Sequence, residues 1–459
     1  MSKSVLSKCM GRIQESPTLA ITAKALKLKS EGKDIIGLAA GEPDFDTPDF
    51  IKNAAIEAIQ AGFTKYTAAT GTPSLKKAIV TKFERENNLA YDTSQVIVGT
   101  GGKQCIFNLC LAILDQGDEV IIPAPYWVSY TDIAQLTGAK PVVVTCGIDQ
   151  EFKMLPSQLE EAISENTKLV LINSPSNPTG SVYSRDELKE LAKVLLSHPN
   201  VFIGTDDIYE KINLNGEPFY NIVMVEPRLK DRTIILSGVS KAYSMTGWRL
   251  GWSFWPENLI EHVNKLLINS VSCVNAAAQF AGIAALDGPD DSINQMMEKF
   301  IQRRKLIHEG LNSLPGIECS LPGGAFYAFP KVIGTGMDGS EFCKRAMHEA
   351  GVAIVPGTAF GKTSKDYVRF SFAASQDNIS NALENIKSVY NITNDPETQA
   401  ELDILPEQTI EYYDVIIVTS TIAQDFFTIY KEVKWSRIFI DEVLSIKLPA
   451  DIPWQANFI

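Results

Sequence analysis

The sequence predicts an α/β protein: a large domain with a mostly parallel sheet covered by helices, and a smaller α+β domain. Short apolar strands recur in the first half of the chain, helices with apolar spacing follow them, and polar or glycine-rich turns stand where the strands end. The predicted strands are residues 95–98, 119–122, 168–172, 201–204 and 233–236. Because the carboxyl ends of parallel strands meet at one edge of a sheet, we expect a ligand site at that edge.

Length and composition are those of an ordinary globular protein. A chain of 459 residues with 45% hydrophobic and 21% charged residues has room for two or three domains and a large core. No apolar run reaches the roughly 18 residues of a membrane span, and the N-terminal residues lack the apolar core of a secretory signal. We therefore expect a cytoplasmic protein.

Cysteine, histidine and charge usage argue against several classes of function. The seven cysteines are scattered and never form a CxxC pair, and the four histidines are isolated, so we expect reduced thiols and no metal site. The formal charge is −13, and residues 393–459 hold twelve Asp/Glu against four Lys/Arg. An acidic chain argues against nonspecific nucleic-acid binding.

The last of the predicted strands leads into the most informative stretch. The strand at 233–236 runs into a small-residue turn that ends at Ser240 and Lys241, and Arg249 follows eight residues after the lysine. A lysine amine beside a buried strand is partly desolvated, which lowers its pKa and lets it attack a carbonyl. An arginine among small residues suits a phosphate monoester. Pyridoxal phosphate needs both groups, although a surface lysine in a strand-to-helix turn is the alternative reading.

Other strands end in residues that would meet at the same edge. The strand at 95–98 is followed by glycines 99, 101 and 102 and then by a helix, a geometry that offers backbone N–H groups to a phosphate. The residues that follow the remaining strands are Trp127, Asn177, Asp206 and Tyr209. Each has an ordinary structural explanation when taken singly, such as a core tryptophan. Their convergence on one edge indicates a binding site.

The pattern changes after Pro289. A long charged helix at 291–314 and hairpin-like strands, including 367–371, predict the smaller α+β domain, which can take in the N-terminal segment. The predicted division is residues 1–45 for an N-terminal arm and part of the small domain, 46–288 for the large domain, 289–392 for the small C-terminal domain, and 393–459 for an extra acidic tail.

Nine motifs in combination resemble one family. They are AGEPDFDTP, KYTAATG, GTGGKQ, PYWVSY, NSPSNPTG, DDIYE, SKAYSMTGWRLGW, PGGAFY and VRFSF. From about residue 5 to 392 the chain resembles the pyridoxal-phosphate-dependent aminotransferases of fold type I, class I, and most of all their bacterial aspartate/prephenate group. The resemblance implies a seven-stranded sheet, a homodimer, a role in amino acid metabolism, and a ping-pong exchange of the amino group between L-aspartate and 2-oxoglutarate. Glutamate and the prephenate–arogenate pair are further substrates that it implies.

The resemblance also assigns roles around the cofactor ring. Lys241 would form the imine with pyridoxal phosphate and shuttle the substrate proton, and Asp206 would hold the pyridine nitrogen protonated. Asn177 and Tyr209 would donate to the phenolic oxygen of the ring, and Trp127 would lie against its face. Trp127 and Asn177 would contact the substrate as well.

The phosphate would be bound by a second set of residues. By resemblance these are the backbone amides of Gly102 and Lys103, the hydroxyl of Ser240 and the guanidinium of Arg249. Tyr66 would reach the same phosphate from a neighbouring subunit.

Substrate contacts and departures from the family pattern complete the prediction. Arg369 would bind the substrate α-carboxylate in a bidentate manner, and Gly41 would contact the substrate through its backbone.

Many relatives have serine where this chain has Gly238, and Ser237 is a possible substitute for that phosphate contact. No arginine stands out for a distal carboxylate, and Lys103 is the residue that the resemblance suggests.

The tail from about residue 393 has no counterpart in the family. A strand is predicted at 415–418, and a second one ends in Asp441 and Glu442. This pair faintly resembles the magnesium-binding box of superfamily 2 helicases. We favour an ordinary strand capped by acids, or a fragment without function. The nearest phosphate-loop match, residues 357–363, is one residue short and precedes a strand, which excludes a P-loop there.

Two alternatives stay open for the function. One is an aminotransferase of the same fold for aromatic amino acids, kynurenine or alanine. The other is a noncatalytic binding module built on this fold, which the presence of Lys241 disfavours.

Overall fold

The structure is a computed structural model that describes residues 5–394 and three strand segments at 417–419, 439–441 and 457–458. The chain divides into two compact units, Met1–Ser388 and Val389–Ile459. The strands are β1 (Ile36–Gly37), β2 (Val96–Gly99), β3 (Glu119–Ala124), β4 (Lys140–Thr145), β5 (Thr167–Asn173), β6 (Phe202–Asp206), β7 (Thr233–Gly238), β8 (Gly251–Phe254), β9 (Tyr327–Ala328), β10 (Val352–Ala353), β11 (Val355–Pro356), β12 (Val368–Ser371), β13 (Ile417–Thr419), β14 (Phe439–Asp441) and β15 (Asn457–Phe458). The α-helices are α1 (Pro17–Ser30), α2 (Asp49–Gln60), α3 (Pro73–Asn87), α4 (Gly102–Ile113), α5 (Ser129–Thr137), α6 (Pro156–Ala162), α7 (Arg185–Ser197), α8 (Ile222–Val225), α9 (Glu257–Ser270), α10 (Ala276–Asp287), α11 (Asp291–Asn312), α12 (Gly339–His348) and α13 (Gln376–Asn394).

A seven-stranded sheet forms the centre of the first unit. Its order is β2-β8-β7-β6-β5-β3-β4, and β8 is antiparallel to both of its neighbours while the other pairs are parallel. The predicted α/β fold class with its mostly parallel sheet is confirmed. Strands β4 and β8 were not among the predicted ones.

Register at the centre of the sheet brings polar strand ends together. Asn173, the last residue of β5, lies opposite Asp206, the last residue of β6, and Asp206 lies opposite Leu236 of β7. Asn173 Nδ2 also donates to the carbonyl of Asp206 at 2.9 Å. Side chains that leave these strands at their carboxyl ends therefore start from one edge, as expected for parallel strands.

Helices cover both faces of the sheet. On one face the core contains Ile79 and Phe83 of α3 and Leu191 of α7, and on the other it contains Cys105 and Leu109 of α4. The residues of β2, β7 and β8 are buried throughout. Strands that are buried on both faces read as continuous apolar runs, which is why the sequence pattern found most of them.

Smaller sheets complete the first unit. The N-terminal strand β1 pairs in parallel with β10, so the N-terminal segment joins the C-terminal part through backbone hydrogen bonds. Strands β11, β12 and β9 form an antiparallel sheet whose central strand, β12, carries Arg369. The predicted domain boundaries at residues 45, 288 and 392 stay predictions.

The second unit contains a parallel sheet of order β13-β14-β15. Strand β13 overlaps in sequence with the strand predicted at 415–418. Strand β14 ends at Asp441, where the sequence predicted a strand end. Glu442 and the rest of the helicase-like motif lie outside the described residues. In the part of the chain that the structure describes, no helix has the length and apolar character needed to cross a membrane.

A buried ion pair fixes the turn that follows β6. Lys82 of α3 contacts Glu210, and its side chain is only 1% exposed. Asn87 accepts from the same ammonium at 2.9 Å and donates to the other carboxylate oxygen of Glu210 at 3.0 Å. Because every charged atom here has a partner, the pair anchors the turn that carries Asp206 and Tyr209 to helix α3.

Replacing Lys82 by methionine would leave the carboxylate of Glu210 buried without its counter-charge. We expect the free energy of unfolding to fall by about 3 to 5 kcal/mol, measured as a lower midpoint in urea. The control is Lys193→Met, which removes a similar lysine from an exposed pair with Glu190 and should leave the midpoint unchanged. Equal midpoints for the two variants would contradict the anchoring role.

Candidate active site

A cavity of about 470 Å³ opens at the carboxyl edge of the central sheet. It is lined by residues from the sheet, from helices α1 and α4, and from the loop after β1. Eleven of the twelve site residues predicted from the sequence line it, namely Gly41, Gly102, Lys103, Trp127, Asn177, Asp206, Tyr209, Ser240, Lys241, Arg249 and Arg369. The twelfth, Tyr66, lies elsewhere.

Lys241 stands in the turn after β7 and points its amine into this cavity. Its Nζ donates to the carbonyl oxygen of Gly41, on the loop that follows β1. The pKa of Lys241 is lowered to about 8, chiefly by burial; Arg369 and Arg249 act in the same direction, and Glu42 and Asp206 act in the opposite one. A lysine with this pKa is partly neutral near physiological pH and can act as a nucleophile or a base.

Asp206 is the last residue of β6, and its side chain is buried. Tyr130 of α5 donates to its Oδ2 at 2.6 Å, and the backbone N–H of Ile208 lies 3.3 Å from its Oδ1. Burial raises the pKa of Asp206, and these two hydrogen bonds together with Lys241 oppose that rise. The two hydrogen bonds also orient the side chain, because a carboxylate bonded on both oxygens cannot rotate freely.

Tyr209 reaches the same cavity from the turn after Asp206. Its hydroxyl lies 2.8 Å from the hydroxyl of Tyr327 on β9. Burial raises the pKa of Tyr209 well above its ordinary value. The phenol therefore stays protonated and available as a hydrogen-bond donor.

One end of the cavity is built to bind an anion. Helix α4 begins at Gly102, so the free backbone N–H groups of its first turn face the cavity. Gly101, with φ of 79°, leaves room for the guanidinium of Arg249, because a Cβ there would lie 2.4 Å from Arg249 Nη2. Arg249 Nη1 donates to Thr246 O at 2.7 Å, and Ser240 lies alongside. This donor set matches a phosphate group.

Ser237 does not replace the hydroxyl that many relatives have at the position of Gly238. Its hydroxyl is buried and lies 3.4 Å from Glu210, and it does not line the cavity. A Cβ on residue 238 would lie 2.9 Å from Gly251 Cα and from Leu250 O, so β8 packs too closely there for a serine. The suggestion that Ser237 takes over the contact is therefore wrong.

Arg369 lines the cavity from strand β12. It is almost fully buried, its Nη1 donates to Asn177 Oδ1 at 2.9 Å, and its Nη2 donates to Ala39 O at 2.7 Å. Within residues 5–394 its Nε has no hydrogen-bond partner. Burial lowers the pKa of Arg369, but a guanidinium stays charged. A buried cation with a free donor is suited to a carboxylate.

Lys103 and Trp127 also line the cavity. The ammonium of Lys103 lies 4.9 Å from the centre of a Trp127 ring. Burial, and to a lesser degree Arg249, lowers the pKa of Lys103. The tryptophan offers its face to a planar ring, and the lysine offers a positive charge next to it.

Tyr66 is the predicted site residue that the structure does not bring to this cavity. Its side chain is 89% exposed. The prediction that it serves the cavity of a neighbouring subunit stays a prediction.

Several cavity residues were not predicted. Tyr130 and Tyr327 each bond a predicted residue, and Ser16 and Thr18 line the cavity from the start of α1. Tyr130 stands in the PYWVSY motif and Tyr327 in PGGAFY, so the motifs pointed to both tyrosines. Their hydrogen-bond partners lie 76 and 118 residues away along the chain, so the motifs could not show the pairing. Asn173 was also missed; its Oδ1 accepts from the backbone N–H of Asn177 at 2.9 Å.

Comparisons with known proteins agree with this geometry. The family described as aminotransferase class I and II matches residues 33–386. The chain belongs to this family. It is 50% identical over 395 residues to the aspartate/prephenate aminotransferase of Nitrosomonas europaea, covering 84% of this chain and 99% of that protein.

Solved structures of aminotransferases superpose on most of the chain. The aspartate aminotransferase from Rhizobium meliloti has a TM-score of 0.82 and 43% identity, covering 85% of this chain and 99% of that one. The aspartate aminotransferase from Thermus thermophilus with maleate has a TM-score of 0.80 and 38% identity, covering 84% and 100%. The protein is therefore an aminotransferase of a family that uses pyridoxal phosphate.

The lowered pKa of Lys241 can be measured in this aminotransferase after pyridoxal phosphate has been removed. At pH 8 about half of the Lys241 amines should be neutral, against less than about 1% for an ordinary lysine with a pKa near 10.4. Labelling with an acylating reagent, followed by peptide mass spectrometry, should show a midpoint near pH 8 for Lys241. In Glu42→Gln the midpoint should fall, because Glu42 is the main group that favours the ammonium. A midpoint equal to that of the exposed lysines would contradict the desolvated site.

Proposed function

We propose that this aminotransferase moves the amino group of L-aspartate to 2-oxoglutarate, with pyridoxal phosphate as its cofactor. The observation that carries the proposal is the convergence of Lys241, Asp206 and Arg369 on one cavity. An amine, an acid and a carboxylate-binding cation are the groups that amino-group transfer requires. The names of the relatives support aspartate as the amino donor, and glutamate and the prephenate–arogenate pair belong to the same proposal.

The residues present fit the cofactor from end to end. The helix α4 N-terminus, Ser240 and Arg249 form a phosphate-binding set, and the face of Trp127 borders the space beside it. Asp206 supplies an acid for the pyridine nitrogen, and Lys241 supplies the amine for the aldehyde. When bound, the cofactor would withdraw electrons from the substrate and make its Cα proton removable.

Lys241 moves the proton in this scheme. Its Nζ is held toward the cavity by the carbonyl of Gly41, and burial keeps a fraction of the amine neutral. A neutral amine can accept a proton from the substrate Cα and return it to another carbon nearby. Because amino acid and oxo acid use the same cavity in turn, the kinetics are expected to be ping-pong.

Asp206 and Tyr209 set the electrostatics of the ring. Asp206, oriented by Tyr130 and by the N–H of Ile208, would hold a proton on the ring nitrogen through a charge-assisted bond. Tyr209 would donate to the phenolic oxygen of the ring, together with the amide of Asn177. The Oδ1 of Asn177 accepts from Arg369, so the contact to the ring would come from its Nδ2.

The substrate would be held by its two carboxylates. Arg369, with its unpartnered Nε, would bind the α-carboxylate, and the backbone of Gly41 would contact the substrate beside it. Lys103 would bind the distal carboxylate, with Ser16 and Thr18 of the N-terminal segment as neighbours. The Thermus thermophilus enzyme was solved with maleate, a dicarboxylate, and this supports a site for two carboxylates.

A second copy of the chain completes the proposed site. Helix α2 exposes Ile56 and Ile59, which are 50% and 54% accessible, beside a groove of about 830 Å³ that reaches Trp248 and Arg249. Exposed apolar side chains of this size favour burial against a partner. In a homodimer Tyr66 of one subunit would approach Arg249 of the other and bond the phosphate. A cytoplasmic location is also proposed, supported by seven free cysteines.

The proposal is tested by absorbance titration of the purified protein with a panel of donors. Aspartate should convert the cofactor to its aminated form, and 2-oxoglutarate should restore the original spectrum. Alanine, phenylalanine and kynurenine, whose side chains carry no distal carboxylate, should react at least about tenfold more slowly. Lys241→Ala should abolish turnover, and Lys193→Met is the matched control. Faster reaction with phenylalanine, kynurenine or alanine would favour the alternative aminotransferase, and no reaction with any donor would favour a binding module.

Lys103→Met tests how the distal carboxylate is bound. We expect kcat/KM for aspartate to fall by about tenfold, the loss of one ionic contact worth about 1.4 kcal/mol. The same variant should change kcat/KM for alanine by less than about twofold, because alanine has no distal carboxylate. Arg369→Lys should instead reduce both by about a hundredfold, because the planar guanidinium is lost. An equal loss for both donors in Lys103→Met would contradict the assignment.

A further inference from the structure

Two buried phenols face each other at the back of the cavity. The hydroxyl of Tyr327 lies 2.8 Å from that of Tyr209, and both side chains are almost completely buried. Tyr327 comes from β9 of the small antiparallel sheet, whereas Tyr209 follows β6 of the central sheet. The pair therefore connects the two sheets at the active site.

Each phenol has one proton, so only one of the two can donate to the other. Among the described residues, Tyr327 Oη has Tyr209 as its hydrogen-bond partner. If Tyr209 donated to Tyr327, no proton would remain on Tyr209 for a ligand in the cavity. If Tyr327 donates, Tyr209 keeps its proton free and becomes a stronger donor, because hydrogen bonds in a chain polarise one another.

We propose that Tyr327 is a positioning residue: it donates to Tyr209 and thereby directs the Tyr209 proton at the phenolic oxygen of pyridoxal phosphate. The inference rests on the proposed function, since it needs the cofactor in this cavity. It assigns a role to a residue that the predicted site did not include.

The surroundings of Tyr327 hold its hydroxyl in one place. The guanidinium of Arg369 lies 4.5 Å from the ring centre, and the ring of Phe326 lies 4.8 Å away. On the other side, a Cβ on Gly41 would lie only 3.2 Å from Tyr327 Oη, so the absence of a side chain there makes room for the hydroxyl. The phenol is therefore confined between the carboxylate-binding arginine and Tyr209.

The charged groups around the pair are the same in every variant, so the sign of the expected pKa shift follows from the hydrogen bond alone. Arg369 and Asp206 act on Tyr209, and Arg369 and Glu42 act on Tyr327, and all of them stay in place when the Tyr327 hydroxyl is removed. A donor to the phenolic oxygen stabilises it most when the bound chromophore has lost its proton. Weakening that donor therefore raises the pKa that governs the chromophore's absorbance.

The test is a pH titration of the absorbance of pyridoxal phosphate bound to wild type, Tyr327→Phe, Tyr209→Phe and the double variant. Tyr327→Phe should raise the pKa by about 0.5 to 1, the size expected for one hydrogen bond, and Tyr209→Phe should raise it further. In the Tyr209→Phe background, Tyr327→Phe should add nothing, because it acts through Tyr209. Tyr367→Phe, a half-buried tyrosine outside the cavity, is the matched control and should leave the pKa unchanged.

Two results would overturn the proposal: an unchanged pKa in Tyr327→Phe, or equal shifts with and without the Tyr209 hydroxyl. If Tyr327→Phe does not fold, Tyr327→3-fluorotyrosine replaces it, because a more acidic phenol donates more strongly to Tyr209 and should lower the pKa. The failure of the proposed function would look different, since wild type itself would then show no cofactor absorbance that depends on Lys241.

Discussion

The structure depends on one electrostatic constraint: charged side chains line one cavity without forming ion pairs with one another. Lys241, Arg249, Arg369 and Lys103 bring positive charge to the cavity, and Asp206 brings negative charge. Among the described residues none of these five makes a salt bridge. Asp206 and Arg369 are also buried, and a buried charge is costly unless surrounding groups bond it.

The hydrogen-bond partners of these charged side chains are mostly backbone atoms and neutral side chains. Lys241 donates to Gly41 O, Arg369 donates to Ala39 O and to Asn177, and Asp206 accepts from Tyr130. Such partners orient a charge without neutralising it. The cavity therefore keeps a net attraction for phosphate and carboxylate groups, and the same groups hold each side chain in a fixed position before a ligand enters.

The turn after β6 is held in place by contacts on the side that faces away from the cavity. Asp206 and Tyr209 face the cavity, whereas Asp207 and Glu210 of the same turn face away from it. Asp207 accepts from Thr205 at 2.6 Å and from Asn221 at 2.7 Å, and Glu210 pairs with Lys82. One short segment thus presents functional groups on one side and is anchored by charged groups on the other. This arrangement explains why DDIYE carries three acids where the proposed chemistry uses one.

The sequence alone determined the fold class, the family, the cofactor type and eleven of the residues that meet in the cavity. It could do so because strands buried on both faces are continuous apolar runs, and because residues at their carboxyl ends must share one edge. It did not reveal β8, since Gly251 and Trp252 fell inside the motif that carries Lys241 and Arg249, nor the solvent-facing edge strand β4. Only the tertiary structure decided the pairs Tyr130–Asp206 and Tyr209–Tyr327 and the burial of Ser237 against Glu210. The physical reason is that hydrogen-bond partners and desolvation depend on which distant segments pack together, and local residue patterns carry no distances across the chain.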